Sequence, residues 1–268
     1  MPLASLILAL VACQEYELYQ PNKGEDPIDS GTEPDAEPDT ATPVDTGSPA
    51  GVADAPVYAN TSGQLFEVEP NTGERTLVGD FRLQGQPVQG MVDIAIDLSG
   101  RMFGGTSDAL YQIDASNATL AKICDTDLNP YALAFTSDGV LFAGADAEIV
   151  SVELSSCDTR ALATSGGYST SGDLVGLPDG FLYWTVRGVG TDAPDELVRV
   201  DPVTGAAFWV GTLTEDRLYG LGYDEGQLYG FSSNGVILQI DPQDAGSSIV
   251  SVDLSTSWWG ATTNPVVW

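Results

Sequence analysis

Three observations in the 268-residue sequence predict an all-β ring built from one repeated antiparallel sheet. First, a strand ending in an acid recurs five times, at 65–69, 110–114, 149–153, 197–201 and 237–241. Its equivalent residues Val68, Ile113, Val152, Val200 and Ile240 are spaced by 45, 39, 48 and 40 positions. Second, a short apolar strand precedes each, starting at Val57, Met102, Leu141, Leu182 and Leu228, and a turn and another strand follow. Third, a further strand with a tight glycine turn comes before the short one: DIAIDLSG, ALAFTSDG, DLVGLPDG and GLGYDEG. Asp-Gly and Ser-Gly turns are hairpin chemistry and call for antiparallel neighbours.

At the start of the chain, MPLASLILALVA is too short to span a bilayer, which takes about 20 apolar residues. Leu10-Val11-Ala12-Cys13 resembles the bacterial lipoprotein box. That resemblance implies a signal peptide at 1–12, cleaved before Cys13, with Cys13 lipidated and anchored in the membrane. Gln14 follows, where an Asp in that family favours inner-membrane retention, so the resemblance implies a cell-envelope lipoprotein of the outer membrane, periplasmic or surface-exposed.

Residues 24–56 contain nine acids and six prolines with no base and no aromatic, too little apolar surface to offset chain entropy. Residues 13–56 therefore read as a lipidated cysteine and an acidic, self-repelling, disordered tether.

The repeat occupies 57–268. Four short strands per unit of about 40 residues describe a β-propeller blade. A β-sandwich has no reason to repeat one four-strand pattern in register five times. The LYxID-PxTG pattern resembles the blades of bacterial secreted propellers of the NHL and SMP-30-like kind, a resemblance that implies the fold and no reaction. The inner strand occurs complete four times, and 258–262 (WWGAT) is left over at the C-terminus. If it pairs beside Val57, both chain ends close one ring of five blades; 265–268 as the start of another strand makes six blades the alternative.

Acids outnumber bases 39 to 9, a net charge of -30, and the ring alone holds 28 acids and 8 bases. Such a field repels phosphate backbones, which excludes nucleic acid as a partner. The absence of histidine removes Ser-His-Asp and Cys-His catalysis and histidine metal sites.

Counting back from the glycine turns puts Asp93, Ala132, Asp173, Tyr219 and Trp258 at equivalent first positions of the inner strands, with Tyr131 and Trp259 as neighbours. The overlong loop 185–196 adds Arg187, Asp192, Asp195 and Glu196, and the connection 80–90 adds Arg82 and Gln84. Asp93, Tyr131, Asp173, Arg187 and Tyr219 are the expected ligand-binding residues, sharing one face at the channel mouth. Rings stack on sugar faces and carboxylates accept from hydroxyls, so a polyol ranks first and a cation such as Ca2+ second. The alternative is that the aspartates cap turns and the aromatics plug the channel.

Cys124 and Cys157 form an exported pair that suggests a disulfide. The alignment places them at opposite ends of neighbouring outer strands, so bonded and unbonded states both stand. No motif singles out a catalytic residue or a cofactor. The leading expectation is a non-catalytic binding or scaffold module for a protein or glycan partner. The alternative is a metal-dependent hydrolase of the SMP-30-like lactonase type, which the resemblance would equip with carboxylates around a divalent ion.

Overall fold

The computed structural model describes residues 51–128, 130–190 and 193–268. The expected signal peptide, Cys13, the tether as far as residue 50, and Asp192 lie outside the described residues.

The apolar triplets and acid-ended strands become the second and third strands of five sheets. The chain enters as β1 (Val57–Asn60), β2 (Gln64–Glu69) and β3 (Glu74–Asp80), then a small hairpin of β4 (Arg82–Leu83) and β5 (Gln86–Pro87). The second blade is β6 (Asp93–Ile96), β7 (Met102–Gly105), β8 (Ala109–Ile113) and β9 (Thr119–Asp125). The third is β10 (Ala132–Phe135), β11 (Leu141–Ala145), β12 (Glu148–Val152) and β13 (Thr159–Leu162). The fourth is β14 (Thr170–Gly176), β15 (Leu182–Val186), β16 (Glu196–Val200) and β17 (Ala207–Thr212). The fifth is β18 (Leu218–Asp224), β19 (Gln227–Ser232), β20 (Val236–Ile240) and β21 (Ser247–Val252).

The last strand, β22 (Gly260–Thr263), closes the ring. It pairs antiparallel with β1, Gly260 opposite Asn60 and Thr263 opposite Val57, and completes the first blade in the order β22-β1-β2-β3. The fold is a five-bladed β-propeller. Residues Pro265–Val267 form a 3-10 turn capped by Asn264 and not a further strand, which removes the six-bladed alternative. The Asn264 side chain also donates to the carbonyls of Ala53 and Ala55, so residues just before β1 are pinned to the closing strand.

In each blade the two innermost strands are buried along nearly their whole length, which is why they are apolar at most positions. The outer strands β3, β9, β13, β17 and β21 are largely open to solvent. Five buried clusters each join two neighbouring blades. At the closure, Trp258 is wedged between the fifth and first blades, its ring edge-on to Phe66 and Phe231 with centroids 5.6 Å away in each case.

The repeated acid has a structural cause. Glu69, Asp114, Glu153, Asp201 and Asp241 each accept, at the backbone carbonyl, the N–H four residues on, from Gly73, Ala118, Cys157, Gly205 and Ala245. Those five residues all take left-handed φ values, from 59° to 75°. The carboxylates of Asp114, Glu153, Asp201 and Asp241 also accept the N–H two residues on, which stabilises the turn from inside.

Cys157 occupies that turn in the third blade and is disulfide-bonded to Cys124 at the end of β9, with Cα atoms 6.5 Å apart. Placing the two at opposite faces treats an outer strand as parallel to the ring axis. Each strand of a blade is rotated about 20–25° from the last, so the outer strand turns well off the axis and its end swings toward the next blade.

The long 80–90 connection also differs from expectation. Its β4–β5 hairpin runs along β9, with Arg82 paired in parallel to Thr119 and salt-bridged to Asp80 at 3.0 Å. Arg82 and Gln84 thus cover the outer edge of the second blade and not the mouth.

Candidate binding mouth and the axial carboxylate pair

An inner strand has a partner on one side only; on the other its N–H groups face the ring axis and need acceptors. Strand register fixes which residues begin there. Asp93 lies opposite Gly105, Ala132 opposite Gly144, Gly220 opposite Phe231 and Gly260 opposite Asn60. Asp173 holds the same place in β14, one residue before Leu174, which faces Trp184.

The N–H of the next residue in each strand goes to one of two carboxylates. Asp93 accepts from Ile94 at 2.8 Å and from Leu133 at 2.5 Å. Asp173 accepts from Leu174 at 2.6 Å, from Leu221 at 2.5 Å and from Ala261. Asp93 and Asp173 are hydrogen-bonded to each other. All five inner strands are therefore tied at the axis by two side chains. Around them the other three positions are small. A Cβ on Gly260 would overlap the Asp93 carboxylate and the Asn60 amide, and one on Gly220 would press on the Gly260–Ala261 backbone at 2.7 Å.

Both aspartates are 0% exposed. Burial is the largest cause at each, raising Asp93 well above the usual carboxylate range and pushing Asp173 up to about 8. A proton between the two carboxyls relieves their repulsion, and the N–H donors stabilise whatever negative charge remains. The pair keeps at least one proton at neutral pH.

One residue earlier, within the inner strand or just before it, the chain borders an open hollow. Val92, Tyr131, Gly172, Tyr219 and Trp259 ring a hollow of about 240 Å³, joined by Thr170, Ser171 and Arg187. Arg187 follows β15 and is exposed; its Nε donates to the Thr170 carbonyl at 3.0 Å, and among the described residues it forms no salt bridge. Behind Ser171 lies Asp195, which accepts from the Leu218 N–H at 2.8 Å and from the Ser171 hydroxyl. Burial pushes this carboxyl up to about 6, against the hydrogen bonds and Arg187, which lower it.

The structure thus divides the expected site. Tyr131, Arg187 and Tyr219 meet at one hollow, together with Trp259. Asp93 and Asp173 do not line it; they are interior acceptors, the turn-capping alternative in a different form. The equivalent first positions also shift. The fifth blade turns between Tyr223 and Leu228 with one residue fewer than the others, so counting back from its glycine lands on Tyr219 and not Gly220. The closing strand has no such turn, and its position is Gly260, not Trp258. Thr170 and Ser171 carry no motif and emerge only from the fold, whereas the overlong loop already marks Asp195.

A cation does not fit the two aspartates as they stand. Their oxygens are aimed at N–H groups, an arrangement that suits negative charge and would turn positive hydrogens toward a metal. No group of three or more Cys, Asp or Glu side chains placed to hold a metal occurs among the described residues. No described helix is long and apolar enough to cross a membrane.

No protein-family model matches the chain, and no curated protein matches it. Solved structures do. A symmetrical protein from work on de novo evolutionary emergence under folding constraints aligns over 78% of this chain and 98% of its own, at 15% identity and a TM-score of 0.53. TolB from Acinetobacter baumannii aligns over 81% of this chain at 15% identity and a TM-score of 0.50; the match spans 56% of the TolB chain. A protein of unknown function from Bacteroides thetaiotaomicron aligns over 75% of this chain and 58% of its own, at 14% identity and a TM-score of 0.48. At these identities the first two likenesses are of fold, and they agree with the ring of blades described above.

Proposed function

We propose that the protein is an envelope-tethered, non-catalytic binding module whose channel mouth holds a sugar ring of a glycan. The observation that carries this reading is the ring of Val92, Tyr131, Gly172, Tyr219 and Trp259 around one hollow, with Arg187, Thr170 and Ser171 at its wall. Aromatic faces cover the apolar face of a sugar, and a guanidinium and hydroxyls supply hydrogen bonds to its rim. A rigid ring below keeps these loop residues in place without ordering cost on binding. A protein partner presenting an apolar side chain is the second reading of the same hollow. The metal-dependent hydrolase is not favoured, because Asp93 and Asp173, the carboxylates it requires, are committed to backbone N–H groups.

Lipidation of Cys13 and the acidic tether supply the envelope location in this reading. Cys13→Ala should move the protein from the membrane fraction to the soluble one; a protein that still pellets would remove the anchor. For the mouth, the full chain in a non-glycosidic detergent is screened on a glycan array. Tyr131→Ala and Tyr219→Ala should each abolish the signal. Signals that survive both substitutions, or no signal with any glycan, would exclude the sugar reading.

A further inference from the structure

A second hollow of about 650 Å³ adjoins the mouth, and Trp259 lines both. Its other walls come from residues 61–64 after β1, from Gln89 before β6, and from Ser255, Thr256 and Ser257 before β22. These segments precede inner strands or follow a second strand, as do the segments that carry Tyr131 and Arg187, so the two hollows open on one face.

The chemistry of the second hollow is unlike the first. Its charges are satisfied within the protein: Arg75 pairs with Asp253 at 2.5 Å, and Asp80 accepts from Gln64 and Arg82 at 3.0 Å each. What faces the hollow unengaged is neutral. The side chains of Thr61, Gln89 and Ser257 have no hydrogen-bond partner among the described residues, and the Gln89 carboxamide lies where a Cβ on Gly63 would sit. Trp259, 37% exposed, stands as a ridge between an aromatic hollow and a neutral polar one.

We propose that the two hollows are successive subsites for one extended, hydroxyl-rich chain, an oligosaccharide of at least two sugar residues that crosses Trp259. This rests on the glycan reading of the mouth and extends it. One sugar ring stacks among Tyr131, Tyr219 and Trp259 near Arg187. The next passes over Trp259 and places its hydroxyls against Thr61, Gln89 and Ser257, which both donate and accept. Neutral carboxamides and hydroxyls select a hydroxyl-rich chain over a charged peptide, since no charge in this groove is left to pair.

The test is a length series. Binding of the full chain is measured by calorimetry against glucose, N-acetylglucosamine and galacturonate oligomers of one to four residues, all β-1,4-linked except the α-1,4-linked galacturonates. Affinity should rise at least about tenfold from one residue to two or three in the series that binds. Ser257→Phe, which projects a ring into the polar hollow and removes one of its hydroxyls, should erase that gain. Equal affinity for all lengths, or a gain that survives Ser257→Phe, overturns the second subsite while leaving the mouth reading intact. Binding of no series at any length counts against the mouth reading itself. Trp259→Ala separates the two further, since loss of the ridge should weaken every length and not only the longer ones.

Discussion

Two sets of residues one position apart, in the five inner strands or just before them, have opposite fates. Asp93, Ala132, Asp173, Gly220 and Gly260 face the axis, where two carboxylates gather five N–H groups. Val92, Tyr131, Gly172, Tyr219 and Trp259, each one residue earlier, surround a solvent-open hollow. The alternation of a strand is enough to separate them, because successive side chains point to opposite sides. The lesson is that a polar residue at a channel mouth is a ligand group only if the pleat turns it outward. The inner set is bound to the fold; the outer set lines the hollow.

Substitutions should therefore separate by position along that one-residue step. The largest loss is expected at Asp173. Asp173→Ala leaves the Leu174, Leu221 and Ala261 N–H groups without an acceptor and should cost on the order of 3–5 kcal/mol, read by urea unfolding. A loss below about 1 kcal/mol would mean that the axial hydrogen bonds do not hold the ring. Next is Trp258→Ala, which empties the wedge between the first and fifth blades; a cost of about 3–5 kcal/mol is expected, with exposed strand edges at the closure. Reduction of Cys124–Cys157, which closes a 33-residue separation, should cost about 2–4 kcal/mol, seen as a drop in Tm on adding reductant.

A smaller, graded effect comes from the shared proton. Both axial carboxyls are raised in the fold, so between an unfolded pKa of about 3.9 and about 8 the native state holds a proton that the unfolded chain has released. Stability should be full below that window and fall as pH rises through it, by up to ~1.4 kcal/mol per pH unit. Repulsion within the acidic ring acts in the same direction, so the comparison is with Asp93→Asn. Its amide can donate the hydrogen that the shared proton supplies, and the slope should flatten. An unchanged slope would assign the whole effect to net charge. The smallest stability change is expected in the outer set. Tyr219→Ala and Trp259→Ala should stay within about 1 kcal/mol of the unsubstituted protein while removing glycan binding.

The ring was legible because its signal is periodic. Acid-ended strands, glycine hairpins and a leftover WWGAT segment follow from turn chemistry and from pairing every edge, and the fold contains all three. The mouth was half legible. Tyr131 and Arg187 follow from blade alignment and loop length. Tyr219 is reached only because one residue fewer in one hairpin moves the count from Gly220 to Tyr219, and the side of the strand is not read at all. Asp93 and Asp173 look like ligand groups in sequence, because nothing local records that inner-strand N–H groups from other blades converge on them. The disulfide was undecided for a related reason: strand twist, which brings Cys124 to Cys157, is a property of the assembled blade.

The central claim is that Asp93 and Asp173 are a protonated interior pair beneath the mouth and not part of it. A carboxyl-carbon NMR titration of the folded protein tests this directly, with the two signals assigned through Asp93→Asn and Asp173→Asn. The account predicts that the pair retains at least one proton to about pH 8 and that glycan binding leaves both signals unmoved. Two ordinary titrations near pH 4, or shifts of both signals on binding, would place the carboxylates in the solvent-open mouth and contradict it.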